Sequence, residues 1–112
     1  MLNVYTAQYR YNGEDRKDIT VKLAKLPWKL FAPTWPMVMD YKRTGDEQKY
    51  IEQYNVIIKK ASCTLGDDLY KLIHSDRTIT LVCFCAAGKF CHRVLLAQHF
   101  AQLGANYIGE RK

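Results

Sequence analysis

"TITLVCFCAAGKFCHRVLLAQHF", residues 78–100, decides the fold. From Arg77 to Cys85 the chain is apolar on both faces without a break, which predicts a central strand covered on either side. On such a strand residues 79, 81, 83 and 85 share one face and 78, 80, 82 and 84 share the other. A short turn containing Gly88 leads to Cys91, where apolar residues resume almost all round and predict a buried helix ended by Gly104. The stretch 105–110, "ANYIGE", reads as one more short strand.

Upstream, "LNVYTAQYRY" (2–11) alternates and is rich in Val, Tyr and Thr, so it predicts a first strand, with "NGEDRKD" (12–18) as its turn. "ITVKLAKL" (19–26) alternates apolar and basic residues and predicts a half-exposed strand or an extended stretch at the sheet edge, stopped by Pro27. Residues 26–45 hold three prolines, Trp28, Phe31 and Trp35 and show no sustained period, with "PMVMDYK" at most a helical turn. A connection this long is usually functional or mobile. One reading makes its aromatics plugs at the edge of a small core. The other makes it a lid over a flat ligand, with Lys25, Lys29, Lys42 and Arg43 near phosphates.

In residues 46–61, Tyr50, Ile51, Tyr54, Ile57, Ile58 and Ala61 form one helical stripe, led by acids and closed by lysines. A shorter helix fits 65–75, with Thr64 as its cap and His74 at its end, where the dipole favours an imidazolium. Strands alternating with helices predict a single α/β domain over residues 1–112, a three-layer Rossmann-like fold with a small, mostly parallel sheet.

The chain has 112 residues, 48% apolar and 25% charged, proportions of a globular domain. Its apolar runs are far shorter than a membrane span, and its start lacks a basic-then-apolar leader, so we expect a soluble, cytoplasmic protein with no membrane partner. Four cysteines in that setting predict reduced thiols, with Cys63 a small buried filler. A formal charge of +6 favours phosphate-bearing partners, but the basic residues are spread and form no nucleic-acid arm.

On this scaffold residues 83–93 run from the carboxyl end of a central strand into a helix, the edge where open α/β sheets bind ligands. Three chemistries compete there. Cys83, Cys85, Cys91 and His92 are zinc-ligand types, but the spacing lacks the CxxC knuckle. Neighbours entering a helix also diverge by about 100°, which separates Cys91 from His92. We therefore expect no cofactor and no metal. A thiol nucleophile is the second: Cys85 at the strand end, or Cys91 near a helix start between Lys89 and Arg93, where positive potential populates the thiolate. The third is an anion cradle: free backbone N–H groups, Gly88 for close approach, Lys89, and Arg93 as a bidentate fork beside His92.

"TLVCFCAAGKFCHRVLLAQHFAQLGANYIGE", together with "VYTAQYRYNGEDRKDITVK" and "FAPTWPMVMDYK", resembles the domain-of-unknown-function 488 family over nearly the whole chain, in particular its short bacterial and phage members. The resemblance implies a compact Rossmann-like domain and no established activity. It implies signature positions at Cys83, Cys91, His92 and Arg93, with Tyr5, Arg10 and Asp18 as front-half partners; Cys85 and Lys89 fall where relatives vary.

These readings combine into one expectation: a nucleotide-like or other anionic small molecule held at residues 86–93. His92 and Arg93 are its anchors, Gly88, Lys89, Arg10, Asp18 and Tyr5 line the crevice, and Trp35 covers it. If there is catalysis, His92 acts as acid or base with Cys91 or Cys85 as the thiol. The alternative is a nucleic-acid- or partner-binding module using the lysines and aromatics of residues 22–43 without chemistry.

Overall fold

The parallel sheet at the centre of the molecule is built from short strands, with the helices packed on one face. The computed structural model describes residues 1–84 and 91–111. Its strands are β1 (Asn3–Gln8), β2 (Arg16–Asp18), β3 (Thr78–Cys83) and β4 (Asn106–Glu110), in the order β2-β3-β1-β4, with every pairing parallel. Helices α1 (Trp35–Thr44), α2 (Glu47–Leu65), α3 (Asp67–Ile73) and α4 (His92–Gln102) follow a 3-10 turn over Trp28–Phe31. This is the α/β, Rossmann-like layout that the alternation of strands and helices predicts. No helix among the described residues is long and apolar enough to cross a membrane.

The apolar run of β3 is explained by its position: it pairs with β1 on one side and β2 on the other. Its Ile79, Leu81 and Cys83 join Val4 in a buried cluster to which every helix contributes, among them Phe31, Met37, Tyr54, Ile73 and Phe100. Phe31 and Phe100 meet edge to face at 5.5 Å, a favoured aromatic geometry. On the opposite face Arg111 lies 3.7 Å over the Tyr5 ring, and Asp15 accepts from Tyr11, Thr80 and Arg111. Side chains of the loop after β1, together with Arg111, cover that face.

Four local expectations are corrected. The second strand lies at Arg16–Asp18, inside the stretch expected to be a turn, and residues 19–26 form no strand. The reason is side-chain capping: Asp18 accepts from both the backbone N–H and the hydroxyl of Thr20, at 2.8 and 2.7 Å, and Thr20 Oγ1 accepts from Leu23 N–H. These bonds bend the chain where alternation alone suggests extension. The "PMVMDYK" turn grows into the ten-residue α1, with Thr34 accepting from Met37 N–H at its start and Gly45 at φ 70° closing it. Helix α2 runs past Thr64 and ends at Gly66, whose φ of 49° breaks it from α3, while the Thr64 hydroxyl donates back to Lys60. Cys63 is exposed and is not a buried filler.

One irregularity positions a charge. Between Val4 and Tyr5 the pairing with β4 shifts by one residue, and Gly109, at φ 142°, sits opposite Tyr5. That extra residue brings Glu110 opposite Thr6, on the helix-covered face. In unbroken register it would oppose Ala7 and face the other way.

Candidate functional site

Cys83 is the last residue of β3, and Cys91, His92 and Arg93 open α4, so the strand end and the helix start meet. Cys91 is the residue before the helix proper, in extended backbone at φ −159° and ψ 150°. The helical 100° step therefore does not apply to it. Its sulfur lies 2.6 Å from Cys83 Sγ and 3.6 Å from His92 Nδ1. This corrects the expectation that Cys91 and His92 diverge: sulfur, sulfur and imidazole converge, all buried.

His92 is held from two sides. Its Nε2 lies 2.8 Å from the carbonyl oxygen of Ile19, and the ring meets Tyr54 edge to face. Because a carbonyl only accepts, Nε2 carries the hydrogen and Nδ1 turns its lone pair toward Cys91. Burial pushes the imidazole below the usual histidine range, although Cys83 and the Ile19 bond oppose the shift, so the ring is neutral near physiological pH.

Arg93 is buried against the chain itself. It is 1% exposed, donates from Nε and Nη2 to the two oxygens of Glu110 at 3.2 and 2.7 Å, and donates from Nη1 to Cys83 Sγ at 3.0 Å. Burial alone would lower its pKa, but Glu110 and Cys83 hold it above its ordinary value, so it stays charged. The guanidinium expected to serve as an anion fork is bonded to Glu110 and Cys83. The fork grips a carboxylate of the chain itself, delivered by the shifted register of β4.

Above Cys91 and His92 lies a hollow of about 560 Å³. It is lined by Cys83, Cys91 and His92, by the largely apolar Trp35, Val38, Tyr41, Tyr50 and Phe84, and by Lys22 and Lys42. Lys22 Nζ lies 4.9 Å over the Trp35 ring, which is half exposed. A larger groove of about 760 Å³ between α2 and α4 holds Cys63 and His99 but none of the Cys-His-Arg group. We take the smaller hollow as the site because thiols, imidazole and cations converge on it.

Of the expected ligand residues, Trp35 lines the hollow. Arg10 is exposed in the turn after β1, Asp18 is committed to Thr20, and Tyr5 lies under Arg111; none of the three lines it. Cys85, Gly88 and Lys89 lie outside the described residues. Of the four cations assigned to the lid, Lys42 borders the hollow and Lys25, Lys29 and Arg43 do not. Sequence reasoning missed Tyr50 and the clamp by Glu110, and it reached Lys22 and Tyr41 only through the alternative surface of residues 22–43. One signal was present: Trp35, Val38 and Lys42 are spaced by three and four, one face of a helix, once 35–44 is read as helical.

A family model described as the active DUF488-N3 subclade matches residues 1–104. The chain belongs to the DUF488 family. No curated protein and no solved structure matches it. The matched residues take in both the Cys-His-Arg helix start and the segment from Lys22 to Lys42.

Proposed function

We propose that this DUF488 chain binds a flat, phosphate-bearing, nucleotide-like small molecule in the hollow above His92. Cys91 and His92, with Cys83, are then the groups able to act on it. The observation that supports this most is the wall composition. Trp35, Tyr41 and Tyr50 offer aromatic surface on which a planar ring system could stack, and Lys22 and Lys42 line the same hollow with charge suited to phosphate. Its volume of about 560 Å³ suits such a ligand. The anion is held by these lysines in place of the sealed Arg93.

Calorimetric titration with AMP, adenosine and inorganic phosphate tests the reading. AMP should bind, Trp35→Ala should weaken it by about tenfold or more, and Lys42→Ala should weaken AMP while sparing adenosine. Failure of AMP to bind at millimolar concentration, or equal effects of Lys42→Ala on both ligands, removes the proposal. The reading of residues 22–43 as a nucleic-acid surface draws on the same Lys22, Trp35 and Lys42. It prevails if a single-stranded oligonucleotide binds more tightly than AMP with a steep salt dependence.

A further inference from the structure

We propose that Cys83 Sγ, Cys91 Sγ and His92 Nδ1, which converge among the described residues, are ligands of a site for a thiophilic divalent metal ion, zinc by the chemistry of the donors. This goes beyond ligand binding in the hollow, because it assigns the groups at the base and does not depend on what the walls hold.

Four observations carry it. The donor atoms lie within 4.8 Å of one another, on a strand end and a helix start that the fold holds together. The imidazole is oriented as a ligand: Nε2–H is committed to the Ile19 carbonyl, and a backbone acceptor of this kind is the usual partner of a metal-bound histidine. Arg93 donates to Cys83 Sγ at 3.0 Å and is itself clamped by Glu110, so a thiolate at Cys83 is met by a fixed N–H donor. Finally, all three residues line the hollow. Two thiolates and an imidazole suit zinc better than calcium or magnesium.

The balance is simple: Zn²⁺ replaces the two thiol protons, which leave to solvent, and two thiolates neutralise the ion. The sulfurs, now 2.6 Å apart, must separate to roughly 3.7 Å around a tetrahedral ion with Zn–S bonds of about 2.3 Å. Cys91, in extended backbone before the helix, is the residue whose sulfur must shift.

The experiment is metal analysis of reduced protein purified without chelators, followed by titration of the stripped protein with cobalt(II) alone. One equivalent of cobalt should give a thiolate-to-cobalt charge-transfer band in the near ultraviolet and intense visible bands of tetrahedral coordination. Cys91→Ser, with folding checked by circular dichroism, should lose the charge-transfer intensity of one thiolate and bind at least about a hundredfold more weakly. Cys63→Ser should change nothing. No cobalt bands, bands that survive Cys91→Ser, or a Cys83–Cys91 disulfide that re-forms in preference to metal uptake overturn the proposal. Trp35→Ala and Lys42→Ala should leave the cobalt spectrum intact. A failure of AMP binding with normal cobalt bands therefore counts against the hollow alone, and the converse result counts against the metal site alone.

Discussion

Glu110→Gln removes the charge opposite Arg93 while keeping the side chain's shape and one acceptor, and it tests whether Arg93 is a clamp or a ligand anchor. Arg93 is 1% exposed and the Glu110 side chain 19%. Removing one partner of a fully buried pair costs roughly 3–5 kcal/mol, because the other charge is left without compensation. Glu110 is partly open to water, and glutamine still accepts one bond from the guanidinium, so we expect roughly 2–3 kcal/mol. For 112 residues, at about 2.1 cal/mol/K of unfolding entropy per residue, that lowers the melting temperature by roughly 9–13 °C. The assay is urea unfolding followed by circular dichroism near neutral pH, where the midpoint should fall with no change in slope. The companion Arg93→Met/Glu110→Leu variant replaces the pair with apolar side chains and should recover most of the loss. A Glu110→Gln protein within about 0.5 kcal/mol of wild type that has lost AMP binding would refute the reasoning. In that case the guanidinium serves the ligand and the carboxylate only orients it.

Acid should act through the same pair and through Asp15. Burial pushes both carboxyls up, but hydrogen bonds from Thr80 and Tyr11 to Asp15, and from Arg93 to Glu110, outweigh it and leave each below its ordinary value of 3.8 or 4.5. The folded values lie below the unfolded ones, so this stability is complete above those ordinary values and is lost as pH falls through the folded ones. Urea midpoints attributable to these groups should stay level down to about pH 4.5 and then fall, less steeply in Glu110→Gln; an equal fall in both proteins contradicts the assignment. Tyr54→Phe removes a buried hydroxyl that donates to the Phe31 carbonyl at 2.7 Å. It should cost roughly 1–2 kcal/mol by leaving that oxygen unsatisfied, and an unchanged urea midpoint would show that the bond contributes nothing.

The fold was legible wherever burial imposes a period. β3 reads as a central strand because both its faces are covered, and α2 reads as a helix because Tyr50, Tyr54, Ile58 and Ala61 must share one buried side. The reading failed where side chains bonding to nearby backbone overrule alternation. Asp18 and Thr20 turn the chain through a stretch whose apolar and basic residues alternate like a strand. It also failed at α1, whose prolines suggested a loop although Pro36 falls in the first turn of the helix, where a missing N–H costs nothing.

For the site, the eleven residues from Cys83 to Arg93 pointed to the right place, because strand-to-helix transitions at the carboxyl edge of a sheet are local features of sequence. Composition also carried the chemistry available there: thiols, an imidazole and cations. Which of these face one another was decided only by tertiary structure. The extended backbone of Cys91 turns its sulfur to Cys83 and His92, and the one-residue shift in β4 delivers Glu110 to Arg93. Both depend on single backbone torsions and on strand register, which bring together residues far apart in the chain and leave no period in the sequence.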